Sequence, residues 1–237
     1  MSRIPAEWFG DYPKHFGFKP EDTGSDEAEF IRQVLHLRKG SALLDAPCGA
    51  GRVSIHLARR GVRITGVDLT PAYIGRARER FAQEKLAARF LVSDLRAIEF
   101  ENEFDGVLNW QGSFGFFSDG ENLDVVRRYA RSLRRGGRLV IDQPNREYLL
   151  RHFQTRGRNG DVEQRVRWNA AQERFETRFH NRQSGESWGM TIRSYTPGQF
   201  ARLYRQAGLE VEGFYGDLAG LPYRRGARRI YVVCRKP

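Results

Sequence analysis

Short apolar, β-rich runs alternate with amphipathic helical segments between residues 25 and 144, and this alternation most constrains the fold. The β-rich runs are SALLDA, VRITGVDL, ARFLVSDL, FDGVLNW and RLVIDQP. Such alternation is typical of a parallel sheet with right-handed crossovers and helices on both faces. The sequence therefore predicts a doubly wound α/β fold.

The pattern changes after residue 144. The segments DVEQRVRWN, QERFETRFHN and ESWGMTIRSY alternate apolar and polar residues, which predicts a three-stranded antiparallel insert with one solvated face. A helix, PGQFARLYRQAG, and two strands, LEVEGFYGDL and ARRIYVVCRK, follow. We expect a single domain over residues 1–237, with a lid segment at 1–24, a core at 25–144, the insert at 145–196 and a C-terminal helix and strand pair at 197–237.

The composition does not identify the binding partner. The net charge is +11, but arginines are spread through every predicted element, so ordinary surface charge and an anionic partner both remain candidates. The two cysteines, Cys48 and Cys234, form no CxxC pair, and we expect neither a disulfide nor a metal site. No apolar run reaches the roughly 20 residues of a membrane helix. The N-terminus lacks a signal-peptide core, so we expect a cytoplasmic protein.

A glycine turn follows the first predicted strand in LLDAPCGAGR. Asp45 ends the strand, Gly49 and Gly51 give a tight backbone, and a helix begins near Arg52. Glycines allow close approach of a ligand, and the free N–H groups of a helix start favour an anionic group. This turn alone is a weak signal.

Three further groups follow the ends of later strands: Asp68, Asp94 and the run from Asn109 to Ser113. The carboxyl ends of parallel strands form the crevice in which such sheets bind ligands. No phosphate-binding GxxxxGK[ST] loop occurs, and Ser54 stands where a dinucleotide fingerprint has its third glycine. A nicotinamide dehydrogenase is therefore disfavoured.

The motifs D-x-x-C-G-x-G, GVDL, SDL, FDGVLNW and LRRGGRLVID resemble the successive motifs of class I S-adenosylmethionine-dependent methyltransferases. The resemblance implies a doubly wound, seven-stranded, mostly parallel Rossmann-like sheet with an antiparallel last strand, here with a small antiparallel β insert. Pro47 replaces the usual first glycine of the turn, a PCG variant that resembles small-molecule members of the family.

The resemblance also implies the cofactor S-adenosyl-L-methionine, with S-adenosyl-L-homocysteine as product. Asp45 would hold the methionine amino group, Asp68 the ribose hydroxyls and Asp94 the adenine amine, while Asn109 would offer its carbonyl beneath the methionine moiety. Arg52 is a candidate partner of the cofactor carboxylate. The complete predicted cofactor set is Asp45, Ala46, Gly49, Gly51, Arg52, Asp68, Leu69, Ser93, Asp94, Leu95 and Asn109.

The predicted reaction is methyl transfer to nitrogen or oxygen of a small organic acceptor, by in-line displacement. No general base stands out. Candidate residues for the acceptor are Tyr12, His15, Trp110, Ser113, Tyr223 and Arg225. An RNA acceptor and a non-catalytic cofactor-binding protein remain alternatives, and we expect a monomer or a homodimer formed through the insert.

Overall fold

The computed structural model describes residues 23–237 and contains a seven-stranded sheet in the order β10-β11-β5-β4-β1-β2-β3. Six strands are parallel and β11 is antiparallel to its neighbours, which confirms the predicted fold class. The strands are β1 (Ala42–Asp45), β2 (Arg63–Asp68), β3 (Ala88–Val92), β4 (Phe104–Asn109), β5 (Leu133–Pro144), β10 (Glu210–Tyr215) and β11 (Arg229–Arg235).

Helices cover both faces of this sheet. They are α1 (Ser25–Val34), α2 (Ser54–Arg59), α3 (Pro71–Gln83), α4 (Asp119–Ser132) and α6 (Pro197–Gln206), with a 3-10 turn at Leu95–Ala97. Leu44 of β1 packs in one apolar cluster with Tyr129 of α4 and Phe200 of α6. Leu43 packs in the other with Ile74 of α3. Successive side chains of a buried strand thus serve opposite layers, as the period of two requires.

Helix α4 is shorter than the sequence predicts. The pattern indicated a helix that continues to Gly137, but α4 ends at Ser132 and β5 begins at Leu133. Leu133 is fully buried and pairs with Phe104 of β4. Burial of this side chain in the sheet core therefore overrides the helical propensity of the arginines that follow.

The insert contains a helix and four strands: α5 (Arg146–His152), β6 (Arg156–Asn159), β7 (Val162–Asn169), β8 (Arg174–Asn181) and β9 (Ser187–Arg193). The strands form a separate antiparallel sheet in chain order. The three predicted strands are confirmed as β7, β8 and β9. Helix α5 and strand β6 were missed, because RGRN has no apolar alternation.

The two faces of the insert sheet differ in chemistry. Directly paired residues of an antiparallel ladder lie on one face. One face carries Val166 opposite Thr177 and Met190. The other carries Arg156, Arg165 and Arg178 in one row across three strands. All three arginines are exposed, and none forms an ion pair within residues 23–237. The Arg face is therefore the solvated one.

Candidate active site

A cavity of about 1350 Å³ lies between the carboxyl edge of the parallel strands and the apolar face of the insert sheet. We call one part the glycine-turn end; its lining includes Asp45, residues 47–50, residues 68–70 and Leu95. The other part, the insert end, is lined by the loop at 111–119, by α5 and by β7, β8 and β9. The strands of the main sheet thus meet the insert at a single cavity.

The glycine turn is fixed by backbone hydrogen bonds to both neighbouring strands. The Ala46 N–H donates to Leu108 of β4, and the Cys48 N–H donates to Val67 of β2, each over 2.9 Å. Gly49 has a φ of +52°, and a Cβ there would meet nothing within 4 Å, so this glycine leaves open space at the cavity. Gly51 serves packing instead, because its Cβ would lie 3.2 Å from the Phe81 ring.

Asp45 ends β1 and is only 3% exposed. The Ser54 hydroxyl donates to its carboxylate over 2.5 Å. Burial raises the pKa of Asp45 to about 7, because a desolvated carboxylate disfavours its charge. Within the described part of the chain no arginine, lysine or histidine forms an ion pair with it.

Asp68 ends β2 and is also buried. Its two carboxylate oxygens accept from the backbone N–H of Gly49 over 2.8 Å and of Thr70 over 2.9 Å. Burial raises the pKa of Asp68 despite these bonds. Asp68 therefore holds the glycine turn in place and, like Asp45, has no ion-pair partner among residues 23–237.

Asp94 has a different environment from the other two acids. Burial would raise its pKa, but hydrogen bonds from the side chain and backbone of Arg96 outweigh this and lower the pKa. The guanidinium of Arg96 lies 2.7 Å from one Asp94 oxygen and 2.9 Å from Glu121. The sequence identified the acid but missed Arg96, which neutralises it from two residues away.

Arg52 lines the cavity, but its guanidinium pairs with Glu27 of α1 over 2.5 Å. The other oxygen of Glu27 accepts from the indole N–H of Trp110 over 3.0 Å. Glu27 thus ties helix α1 to the glycine turn and to the end of β4. The candidate pairing of Arg52 with a cofactor carboxylate would have to compete with this contact.

Asn109 lies behind the residues that line the cavity, and its predicted role toward the cofactor stays a prediction. It is fully buried, and the cavity lining passes from Leu108 to Trp110 without it. Its side-chain N–H₂ donates to the Ala46 carbonyl over 3.1 Å and to the Tyr129 hydroxyl over 3.0 Å. Asn109 therefore supports the glycine turn from behind, because the neighbouring residues of β4 fill the cavity wall.

The other predicted residues divide into two groups. Leu69, Leu95, Trp110 and Ser113 line the cavity, as do Asp45, Gly49, Arg52, Asp68 and Asp94. Ala46, Gly51 and Ser93 lie beside it without lining it. Tyr12 and His15 lie outside the described residues.

Tyr223 and Arg225 are not among the residues that line the cavity, and their contact with the acceptor stays a prediction. The Tyr223 hydroxyl donates to the side chain of Asn145 over 2.9 Å, and Asn145 donates in turn to the Arg225 carbonyl over 2.9 Å. The Arg225 side chain is 81% exposed and faces Glu147 at 3.5 Å. This loop is pinned to Asn145, which holds it away from the cavity.

The insert end combines apolar side chains with polar and charged ones, and the sequence did not identify most of its residues. Its apolar lining is Phe116, Phe117, Pro144, Leu149, Phe153, Val166, Ala171, Phe175, Met190 and Ile192. The alternation in β7, β8 and β9 signalled a buried face but not what that face covers. Only the folding of α5 and the insert sheet over the core brings these side chains together.

Charged groups at the insert end are paired with one another. Glu173 accepts from Arg146 over 2.6 Å, from Gln199 over 2.6 Å and from the buried Arg193. Burial would raise the pKa of Glu173, but the bonds from Arg146 and Gln199 outweigh it and lower the pKa. Asp119 accepts from Arg174 over 2.9 Å.

The loop at 111–119 is held on both sides. Arg174 donates to the Phe117 carbonyl over 2.7 Å, and the Arg193 N–H donates to the Gly115 carbonyl over 2.8 Å. Gly115 has a φ of +103°, and its Cβ would lie 2.5 Å from the Arg193 carbonyl. Only glycine permits this close approach of the loop to β9.

On the opposite side, the buried Asp142 of β5 accepts from the Gly112 N–H over 3.2 Å and pairs with Arg229 of β11. The loop therefore contacts both sheets, and its position relative to the glycine-turn end is fixed.

Comparison with known proteins agrees with this geometry. Residues 43–137 match the family model of the methyltransferase domain. The chain is similar over its full length to the structure of S-adenosylmethionine-bound CalS10, an amino pentose methyltransferase from Micromonospora echinaspora, with a TM-score of 0.64, 21% identity and 100% of each chain covered. Residues 43–137 thus carry the match to the methyltransferase domain, and the fold of the chain is that of S-adenosylmethionine-dependent methyltransferase structures.

Two curated relatives illustrate the range of similar proteins. The S-adenosyl-L-methionine-dependent Diels-Alderase iccD of Talaromyces variabilis is 30% identical over 158 residues, which cover 61% of this chain and 53% of the relative. The cypemycin N-terminal methyltransferase of a Streptomyces species is 26% identical over 217 residues, or 83% of this chain and 84% of the relative. The chain thus spans about half of the former and most of the latter.

The glycine-turn end fits S-adenosylmethionine in charge. The cofactor carries a sulfonium and an ammonium against one carboxylate, so its net charge is positive. Asp45 and Asp68 are the lining acids that have no cationic partner in the described residues. Gly49 leaves open space beside them. No helix among the described residues is long and apolar enough to span a membrane.

Proposed function

We propose that the protein transfers the methyl group of S-adenosylmethionine to a nitrogen or oxygen of a small organic acceptor, with nitrogen favoured. The observation that carries this proposal is the single cavity with two unpaired acids at one end and an apolar, internally neutralised lining at the other. Such a cavity has room for a cationic cofactor and an acceptor side by side.

At the glycine-turn end, we assign Asp45 to the cofactor ammonium and Asp68 to the ribose hydroxyls. The Asp68 carboxylate accepts from the backbone N–H groups of Gly49 and Thr70 and also from the Thr70 side chain, and these bonds fix its orientation toward a hydroxyl donor. Leu69 and Leu95 would contact the adenine ring. Asp94 would accept from the adenine amine in competition with Arg96.

The bound cofactor supplies an already activated methyl group, so the protein's contribution is to position the acceptor and exclude water. Trp110, Ser113 and Phe116 form the wall between the two ends. The insert sheet closes the cavity opposite them. These residues would hold the acceptor atom in line with the bond that breaks.

The absence of an unpaired base favours nitrogen. At the insert end, the described acids that line the cavity are Asp119 and Glu173, and both are ion-paired. A hydroxyl needs a base to become a good nucleophile, whereas a neutral amine attacks with its own lone pair. Cypemycin N-terminal methyltransferase and the amino pentose methyltransferase CalS10 both carry names that indicate amine acceptors, which supports this choice.

Calorimetry with S-adenosylmethionine and a methyl-transfer assay test the proposal together. We expect cofactor binding in the micromolar range, and transfer of labelled methyl groups to members of a panel of small amines. A matched panel of alcohols should react more slowly. Absence of cofactor binding at millimolar concentration would overturn the proposal, and so would binding without transfer to any acceptor in either panel.

A further inference from the structure

We infer that the acceptor of this protein is electrically neutral and largely apolar, a ring-bearing or branched hydrocarbon scaffold that carries the reacting amine in its uncharged form. This inference rests on the proposed function and adds the chemical class of the acceptor.

The first support is the arrangement of apolar side chains on the insert sheet. Val166 of β7 and Met190 of β9 flank Thr177 in one register row, and Phe175 lies opposite Ile192 in the next. All except Thr177 line the cavity. Phe153 packs edge-on against Phe175, with ring centroids 5.4 Å apart, and both residues line the cavity together with Leu149. The acceptor would therefore contact a continuous apolar wall.

The second support is the pairing of every charged side chain that lines the insert end. Arg193 is buried and bonds to Glu173, to the Ser194 carbonyl over 3.1 Å and to Asp119 over 3.4 Å. Arg174 bonds to Asp119 and to the Phe117 carbonyl. A charged acceptor would have to break one of these pairs and leave its partner unpaired in a desolvated site, which is costly.

The same pairing disfavours a polyanionic acceptor such as RNA. Phosphate groups bind to arginine forks that are available to them. The arginines that line the insert end already bond to carboxylates and carbonyls. The Arg156–Arg165–Arg178 row lies on the opposite face of the insert sheet from Val166 and Met190.

Neutral polar groups remain to orient the acceptor. Ser113 and Gln164 line the cavity. Amides and hydroxyls donate and accept without carrying charge, so they suit carbonyl or hydroxyl groups on an otherwise apolar scaffold. The cavity volume of about 1350 Å³ exceeds the roughly 300–1,000 Å³ of common ligand pockets, which leaves space for both cofactor and acceptor.

A matched pair of dyes tests the charge requirement directly. N-phenyl-1-naphthylamine is neutral, and 1-anilinonaphthalene-8-sulfonate adds one sulfonate to the same rings. Binding of each to the full chain would be measured by fluorescence titration, with S-adenosylhomocysteine present and at high salt to screen the surface arginines. We expect the neutral dye to bind at least ~tenfold more tightly, a difference of about 1.4 kcal/mol.

Val166→Lys places a cation on the apolar wall and should reverse this preference, so that the sulfonate dye binds more tightly than the neutral one. Arg165→Ala is the matched control, because Arg165 is the preceding residue of β7 and points to the opposite, solvated face. It should leave both affinities unchanged. Met190→Lys is the second variant in the same register row, and retained S-adenosylhomocysteine binding shows that each variant is folded.

The outcomes separate the two proposals. If the unmodified protein does not bind S-adenosylhomocysteine, the proposed function is overturned. If the unmodified protein binds S-adenosylhomocysteine but binds the sulfonate dye as tightly as the neutral dye, or more tightly, only the inference of a neutral acceptor is overturned. Val166→Lys and Met190→Lys variants that bind product and keep the original dye preference would also overturn it.

Discussion

The two ends of the cavity differ in the partners of their acidic side chains. At the glycine-turn end, Asp45 and Asp68 are buried with neutral partners only. At the insert end, Glu173 and Asp119 are each held by arginines. An unpaired buried acid is costly unless a ligand compensates it, whereas a paired one is already satisfied. The glycine-turn end can therefore bind a cationic ligand, whereas ion pairs hold the side chains of the insert end in place.

The largest expected effect is that of Asp68→Ala on cofactor affinity. This change removes the acceptor for the ribose hydroxyls and also frees the Gly49 N–H that Asp68 holds. Two charge-assisted bonds of about 1.5–3 kcal/mol each predict a loss of at least about a hundredfold in Kd. Calorimetry would measure it, with the exposed Asp124→Ala of α4 as control; equal affinities for both variants would contradict the role of Asp68.

Gly115→Ala tests the insert end. Its Cβ would lie 2.5 Å from the Arg193 carbonyl at a φ of +103°, so the loop and β9 must separate. We expect a loss of about 1–3 kcal/mol in the free energy of unfolding, measured with denaturant. Gly120→Ala is the control, because a Cβ in α4 would meet nothing within 4 Å. Cofactor affinity should change little; a large loss would show that the two ends are not separable.

The pKa of Asp45 predicts a pH dependence of cofactor binding. The pKa of Asp45 is about 7 in the folded protein and about 3.9 in the unfolded chain. Protonated Asp45 therefore stabilises the fold below about pH 4, and this contribution is lost as the pH rises through about 7. A cationic ligand favours the carboxylate, so binding near pH 6 should release a proton. We expect the Kd of the cofactor to fall by about five- to tenfold between pH 6 and 7.5, because the fraction of ionised Asp45 rises.

Calorimetry in two buffers with different ionisation enthalpies measures this proton release. Asp45→Asn should bind more weakly at every pH and with no dependence over this interval. An unchanged pH profile in that variant would assign the titration to another group.

Asp94→Ala should have the smallest effect on the glycine-turn end. Arg96 already bonds to the Asp94 carboxylate, so the acid has less charge left to offer than Asp68. We expect a loss of less than about tenfold in cofactor Kd, because at most one hydrogen bond is removed. A loss equal to that of Asp68→Ala would show that the Arg96 pairing opens when the cofactor binds.

The sequence predicted the glycine-turn end much better than the insert end. Asp45 and Asp68 could be located because each follows its own strand directly, and parallel strands bring such positions to one edge. The sequence places Asn109 at a strand end but does not show that its neighbours Leu108 and Trp110 form the cavity wall. Nor does it show that Asn145, some 80 residues away, holds the loop of Tyr223 and Arg225.

The insert end depends on contacts between distant segments. Phe116, Leu149 and Met190 share no local pattern, and only the packing of α5 and the insert sheet over β5 brings them to one cavity. The partner of Asp94, in contrast, was available in the sequence: an arginine two residues after an acid that begins a tight turn.

The insert leaves the core beside Gln143 of β5 and returns to the same side chain. Gln143 donates to the carbonyls of Phe114 over 3.1 Å and Arg193 over 2.7 Å, and it accepts from the Tyr195 N–H over 3.0 Å. Both ends of the insert are thus joined to the core at Gln143, in addition to the bonds from Arg174 to Phe117 and from Gln199 to Glu173. We expect that replacement of residues 146–193 would change the wall of the insert end and leave β1 and β2, which carry Asp45 and Asp68, in place.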